Sequence, residues 1–297
     1  MIFPWLWVVF TVIAAFAQTV RNAMQRELTL SLGTVGATHV RFLFGFPFVL
    51  IVLAGVMTAT GSPLPRPAWT FWPWVIDGAG AQVAATALML VAMNQRSFVV
   101  TIAYLKTEPI QVAVFGLVFL GDFLTWPMLI AIVVATAGVV IMSTKPGGMI
   151  GGIRPTLTGV AAAALFALSS VGYRGAILDL GVSDYVMAAT FTLAVGIAMQ
   201  AVLLSLYLGW RSPAVLLAIA RAWRPSLFAG FMGALASQFW FLAFALATAA
   251  SVRTLALVEV LFAQLFARFS FGQRTSVREA IGMLLVACGV GLLLWAY

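Results

Sequence analysis

Residues 101–121 read Thr-Ile-Ala-Tyr-Leu-Lys-Thr-Glu-Pro-Ile-Gln-Val-Ala-Val-Phe-Gly-Leu-Val-Phe-Leu-Gly, and residues 252–272 read Val-Arg-Thr-Leu-Ala-Leu-Val-Glu-Val-Leu-Phe-Ala-Gln-Leu-Phe-Ala-Arg-Phe-Ser-Phe-Gly. A shift of 151 residues lays Glu108 on Glu259 and Gly121 on Gly272. Each stretch is as long as a bilayer-crossing helix, which needs roughly 20 mostly apolar residues. Each nevertheless carries an acid and a base: Lys106 and Glu108 in the first, Arg253 and Glu259 in the second.

The rest of the chain has the same character. Of 297 residues, 63% are hydrophobic and 8% charged. Soluble domains carry about 25% charged residues, and coiled coils, disordered tails and nucleic-acid-binding domains need more charge than this chain has. The net charge of +8 is scattered through apolar sequence, so no nucleic-acid partner is expected. The class left is an all-α polytopic membrane protein, with the lipid bilayer as its surroundings. The pattern predicts ten transmembrane helices, near 3–22, 35–57, 71–93, 97–120, 124–143, 156–174, 184–208, 225–247, 248–271 and 276–296. Polarity does not mark the turn within 225–271; the repeat places it. Met1-Ile2-Phe3-Pro4-Trp5 has no basic stretch, so no cleaved signal peptide is read there. The single cysteine, Cys288, leaves no disulfide or Cys-based metal site within one chain. No cofactor or metal is expected.

The same shift lays Ile130 on Ile281, Gly138 on Gly289, Thr86 on Ser237, Val20 on Val171 and Gln18 on Ser169. The chain reads as a first five-helix repeat over 1–144, a Gly-rich linker over 145–155 and a second repeat over 156–297. Five is odd, so the second repeat must enter the bilayer upside down. Two inverted five-helix repeats are a signature of secondary transporters, with substrate held near the midplane. The alternative is generic likeness among apolar helices.

The segment from Ser97 through Lys106-Thr107-Glu108-Pro109, followed by Gly121-Asp122-Phe123-Leu124-Thr125 and Ala137-Gly138-Val139-Val140, resembles the EamA-type domain of the drug/metabolite transporter superfamily. In that family a Glu-Pro sits in span four of the repeat and a Gly-Glu-x-hydrophobic-Thr turn precedes span five. Here Asp122 replaces the turn's Glu, and the second half has Val260 for the Pro and Gln273 for the acidic turn residue. The resemblance covers nearly the whole chain. It implies a ten-helix transporter of small metabolites, often an exporter of amino acids or related compounds, in a bacterial inner membrane.

The charges are unevenly placed. Loops after odd-numbered spans hold eleven bases (Arg21, Arg26, Arg96, Lys145, Arg154, Arg211, Arg221, Arg224, Arg268, Arg274 and Arg278), and loops after even-numbered spans hold two, Arg66 and Arg174. Lysine and arginine favour the cytoplasmic side, which puts both termini outside; the family resemblance implies both inside. Left within spans are Arg41, Lys106, Arg253, Asp77, Glu108 and Glu259, which sum to zero. A charge at a helix centre costs about 2.5–3.5 kcal/mol and persists where it pairs or lines a wet cavity. Glu108 lies roughly 16 Å into its span at 1.5 Å per residue. On a continuous helix Thr101, Tyr104, Glu108, Gln111 and Phe115 share one stripe, with Lys106 about 160° from Glu108 at 100° per residue.

Two readings of this arrangement stand. Glu108 and Glu259 bind a substrate amine or a proton while Lys106 or Arg253 meets a carboxylate, or the four form ion pairs that set helix register. Gln18 and Asn22, their repeat partners Ser169 and Tyr173, and Thr86 and Met89 with partners Ser237 and Trp240 are further candidates to line a cavity. Polar residues at such places also serve simply to glue helices. Trp240 is deep, unlike the tryptophans at span ends, and is suited to stacking on a ligand or to packing. His39 is either a proton relay or a hydrogen-bonded packing residue. Pro109 should kink span four. Spans five and ten carry small residues (Ala131, Ala135 and Gly138; Gly282 and Gly289), so they scaffold the bundle or join a homodimer.

The leading function is a secondary transporter, and an exporter by the family resemblance, of a small polar or zwitterionic solute such as an amino acid. It would work by alternating access and is not an enzyme. The chain lacks His-Glu-x-x-His, a Gly-x-Ser-x-Gly elbow, a phosphate-binding loop and a Cys-His pair, which weighs against an intramembrane enzyme. A lipid flippase of the same fold is the other alternative.

Overall fold

The computed structural model describes residues 5–95, 104–143, 153–262, 264 and 276–297, and every regular element among them is a helix. Chains this apolar satisfy their backbone N–H and C=O groups internally, and a helix does so within one segment. In chain order the helices are α1 (Leu6–Thr60), α2 (Phe71–Gln95), α3 (Glu108–Phe115, continued by a π-turn over Gly116–Leu120), α4 (Trp126–Ser143) and α5 (Ile153–Asp179). They continue with α6 (Tyr185–Arg211), α7 (Pro213–Arg221), α8 (Trp223–Leu246), α9 (Ala249–Leu255) and α10 (Val277–Ala296). Among the described residues, five stretches are long and apolar enough to cross a membrane: Ser31–Thr60, Thr156–Asp179, Tyr185–Arg211, Trp223–Leu246 and Val277–Ala296. Leu6–Arg21, Glu108–Leu120 and Trp126–Met142 are shorter apolar helices. These helices are compatible with an integral membrane protein.

Helix limits recur under the 151-residue shift. The part of α1 after Gly33, residues 34–60, falls on α6 end to end. Trp126, which opens α4, falls on Val277, which opens α10. The limits of α2 fall within one residue of those of α8. The turn that polarity leaves unmarked lies at Ala247-Thr248, where the Thr248 hydroxyl accepts from the Ser251 N–H and starts α9.

Several expectations are corrected. The stretch 23–34 reads as a loop, yet α1 runs helically up to Gly33. Ala23, Met24, Gln25 and Glu27 end the apolar run but are good helix formers. The break is backbone-made: Gly33 sits at φ 66°, ψ 174°, a region open essentially to glycine alone. Arg21, sorted to a loop, is therefore helical and buried. Arg174 is likewise inside α5, which continues to Asp179. Its guanidinium donates to the Phe244 carbonyl at 2.5 Å, a cationic cap on the C-terminal turn of α8. Arg278 does the same for α4, donating to the Ile141 carbonyl at 2.8 Å. The stretch between spans seven and eight, near 209–224, contains α7, started by Pro213 at a position where its missing N–H costs nothing. Of the expected linker, residues 145–152 lie outside the described residues and 153–155 belong to α5.

The chain divides into two compact units. Unit 1 is Met1–Gly80 with Gly172–Leu246, and unit 2 is Ala81–Val171 with Ala247–Tyr297. Each draws on both halves of the sequence. In unit 1 the backbones of α1 and α8 touch at Gly230, where an added Cβ would lie 2.5 Å from the Phe44 Cβ and 2.9 Å from the Gly45 nitrogen. Ile219 of α7 joins Leu28, Leu32, Val40, Leu208 and Ala229 in the core at one end of this unit. In unit 2, α4 packs along α10. An added Cβ on Gly138 would lie 2.7 Å from the Gly282 carbonyl oxygen, and one on Gly289 would lie 2.6 Å from the Ala135 nitrogen. The small residues of spans five and ten thus face each other within the chain. Ser276 and Glu279 cap α10 reciprocally.

Candidate functional site

In unit 2 the two quoted stretches are both broken. Residues 104–105 are helical, Lys106 and Thr107 form a turn, and α3 restarts at Glu108. Pro109 explains this break: it has no N–H for the Leu105 carbonyl, and its ring collides with that carbonyl in a continuous helix. The expected kink is therefore a full interruption, with the proline in the first turn of the new helix. In the second half α9 ends at Leu255, a turn follows at Ala256 and Leu257, and helix resumes at Val258. No proline is present there. Tight i→i−3 bonds make this turn, from Leu257 N–H to Thr254 O at 3.1 Å and from Glu259 N–H to Ala256 O at 3.0 Å. The 151-residue shift lays one break on the other to within a residue. Glu108 directly follows the first break, and Glu259 stands two residues after the second.

The breaks overturn the stripe drawn on a continuous span four, because the helical phase resets at residues 106–107. Thr101 lies outside the described residues. Tyr104 instead turns to α5, where its hydroxyl meets Thr156 Oγ1 at 2.9 Å and Gly159 leaves room for its ring. Gln111 reaches back over the break, its Nε2 donating to Thr107 Oγ1 at 3.3 Å; Thr107 Oγ1 in turn donates to the Tyr104 carbonyl at 2.6 Å.

The four charges pair crosswise between the sequence halves. Arg253 holds Glu108 with both prongs, Nε to Oε1 at 2.7 Å and Nη2 to Oε2 at 2.6 Å. Ser170 Oγ lies 3.4 Å from the same Oε1. Lys106 pairs with Glu259. Each base thus serves the acid of the other half. Glu108 is buried, at 7% exposure. A bidentate guanidinium–carboxylate contact is the strongest geometry available to such a pair. The equal tally of acids and bases within spans foretold neutrality; the partners were hidden, because they depend on where the helices break. Ser170 gave no signal beyond standing next to Ser169, itself buried in the same unit. Thr86 bonds back to the Gln82 carbonyl at 2.8 Å on α2, and Met89 is half-buried.

The other candidates fall in unit 1. Gln18 Oε1 accepts from the Trp240 indole N–H at 3.2 Å, joining α1 to α8. Trp240 is buried and stacks on Phe244 at 6.4 Å between centroids. Tyr173 packs on Phe241 at 4.6 Å, with Gly78 and Gly196 against its ring. Ser237 Oγ accepts from Arg41 Nη2 at 3.4 Å. His39 is fully buried, with Nε2 at 3.0 Å from Ser205 Oγ, which ties α1 to α6. The side chain of Asn22 lies outside the described residues. The repeat-related Gln18 and Ser169 thus fall in different units.

No protein-family model and no curated protein matches this sequence. Solved structures do share its fold. One, described as "Crystal structure of protein", superposes with a TM-score of 0.73 at 16% identity, over 98% of this chain and 97% of that one. Likeness at that identity concerns the fold alone.

Proposed function

We propose that the chain is a secondary transporter of a small polar or zwitterionic metabolite such as an amino acid. In this reading ten spans form two inverted five-helix repeats, the substrate binds near the bilayer midplane, and access alternates between the two sides. The reading extends the resemblance to EamA-type transporters, and with it the expectation of export across a bacterial inner membrane. The observation that carries it is the pair of repeat-related helix breaks with crossed ion pairs at Glu108–Arg253 and Lys106–Glu259.

Broken backbone at membrane depth is tolerated where it is buried in protein or lines a water-filled cavity, and discontinuous helices at the midplane are how many transporters build their sites. Crossed pairs suit a zwitterion. Its carboxylate exchanges for Glu108 on Arg253, and its ammonium takes the freed carboxylate. No bare charge is left at any stage, which keeps the exchange inexpensive in a poorly solvating medium.

Uptake and counterflow in proteoliposomes, with a panel of amino acids and related metabolites, test this. Wild type should move a subset of zwitterions, and Glu108→Gln should abolish their transport. Wild-type rates and pH profile in the variant for every accepted substrate would refute the assigned site. Movement of lipid alone would refute the solute reading.

A further inference from the structure

Helix α6 has charges of opposite sign at its two ends. Asp184 caps its start, with Oδ1 accepting from the Val186 N–H at 2.9 Å, and Asp179 lies just before it. Arg211 closes its last turn, and Arg221 and Arg224 follow. No acid occurs in the sequence between Asp184 and Glu259. The three arginines are exposed, and no carboxylate among the described residues pairs with them.

Helix α7 runs between Arg211 and Arg224. Its inner face is fixed: Ile219 is 1% exposed, and Val215 and Leu216 pack on the same core cluster. A Cβ built on Gly36 of α1 would lie 2.8 Å from Val215 Cγ1, so α7 is held against α1. The outer face presents Ala214, Leu217 and Arg221, spaced three and four apart, with Leu217 53% exposed. Tryptophans stand at both ends. Trp210, in the last turn of α6, is 85% exposed, and Trp223, which opens α8, is 51% exposed. The Arg224 guanidinium carbon lies 5.4 Å from the Trp223 ring centroid.

Water suits these arginines but not the bare indoles and Leu217; hydrocarbon suits the reverse. The headgroup layer accepts both, since tryptophan settles at that level and an arginine stem covers apolar surface while its head stays polar. What balances the charge there is phosphate, whose oxygens match the guanidinium fork. We propose that the outer face of α7, with Arg211, Arg221 and Arg224, docks anionic phospholipid headgroups, and that Trp210 and Trp223 seat it at headgroup level. Each arginine adds its own attraction to the anionic surface. The docking face lies wholly in unit 1. It rests on the chain spanning a bilayer and not on the transport reading.

Lipid titration of the full chain in neutral dodecyl maltoside micelles tests it, with bound lipid counted by native mass spectrometry. Phosphatidylglycerol should bind at least about tenfold more tightly than phosphatidylcholine. Arg211→Gln, Arg221→Gln and Arg224→Gln should each weaken phosphatidylglycerol about fivefold, and the triple variant, folded by circular dichroism, should bind both lipids alike. Arg66, at the other end of unit 1, is the control. It is also exposed but shares that end with Asp184 and with Asp179, which accepts from Thr70 at 2.9 Å. Arg66→Gln should leave the preference unchanged. No preference in wild type, a preference that survives the triple variant, or an equal loss in Arg66→Gln overturns the proposal. Glycerol phosphate binding as tightly as phosphatidylglycerol would assign the arginines to a soluble anion, and a dimer that excludes the lipid would assign the face to a second copy; either overturns the lipid claim. Failure of transport with the lipid preference intact counts against the Glu108 site only.

Discussion

Removing one member of the Glu108–Arg253 pair tests the site through stability rather than transport. In Glu108→Gln the guanidinium of Arg253 loses two contacts, at 2.7 and 2.6 Å, and the four-charge group becomes net positive. Breaking a buried pair by deleting one partner costs about 3–5 kcal/mol, whereas replacing both can be neutral or stabilising. The Glu108 side chain is 9% exposed and that of Arg253 20%, so some solvent reaches the arginine. The lower end, about 3 kcal/mol, is the expected loss for Glu108→Gln. Arg253→Gln strands a carboxylate and should cost at least as much. The double variant Glu108→Gln/Arg253→Gln should recover most of the loss, giving a coupling energy of about 2 kcal/mol or more, well above the 0.3–0.5 kcal/mol scatter of independent sites. Unfolding in mixed micelles of dodecyl maltoside and sodium dodecyl sulfate, followed by tryptophan fluorescence, reads all four proteins. Single variants whose losses simply add in the double variant would refute the pairing. Added salt should change the coupling little, because a buried pair is weakly screened.

Four further substitutions probe other parts of the fold. Gly138→Leu drives a side chain into the Gly282 carbonyl, 2.7 Å from the new Cβ, and should destabilise by about 1–3 kcal/mol or more in the same unfolding assay. Gly33→Ala meets no atom within 4 Å but must hold φ near 66°; it should cost about 1–3 kcal/mol, whereas Gly55→Ala, in open helical surroundings, should be neutral or stabilise by about 0.4–1 kcal/mol. Ser276→Ala removes the capping box at the start of α10 and should cost about 0.5–2 kcal/mol, with faster amide exchange at residues 277–280 and none further along the helix.

Much of the helix plan was readable in advance. The limits of α6, α8 and α10 lie within about three residues of the spans read from hydropathy, the error usual for such boundaries. The turn at Ala247-Thr248 came from the repeat, since apolar residues on both sides hid it from hydropathy. Polarity misled at two places. Residues 23–32 are polar enough to leave a membrane but good enough helix formers to continue α1, and α7 carries amphipathic spacing at Val215, Leu216 and Ile219 between Arg211, Arg221 and Arg224, whose charges mark the stretch as a loop. Of the candidate residues, Gln18 with Trp240, Glu108 with Arg253, and Lys106 with Glu259 proved to be direct partners.

The division between sequence and tertiary structure follows the range of the forces. Apolar runs of membrane-spanning length and the recurrence at 151 residues are properties of the linear chain, because backbone groups surrounded by hydrocarbon must be satisfied locally. Which charges meet is set by two local failures of helical geometry. Pro109 and the tight turn at Ala256-Leu257 reset the helical phase, so that Lys106 reaches Glu259 and Arg253 reaches Glu108. Gly33 breaks α1 and lets the stems of Arg21 and Arg41 pass the same glycine of α8, Gly233. Periodicity assumes one uninterrupted helix, and wherever the backbone departs from it, the partners of every polar side chain beyond are decided by packing.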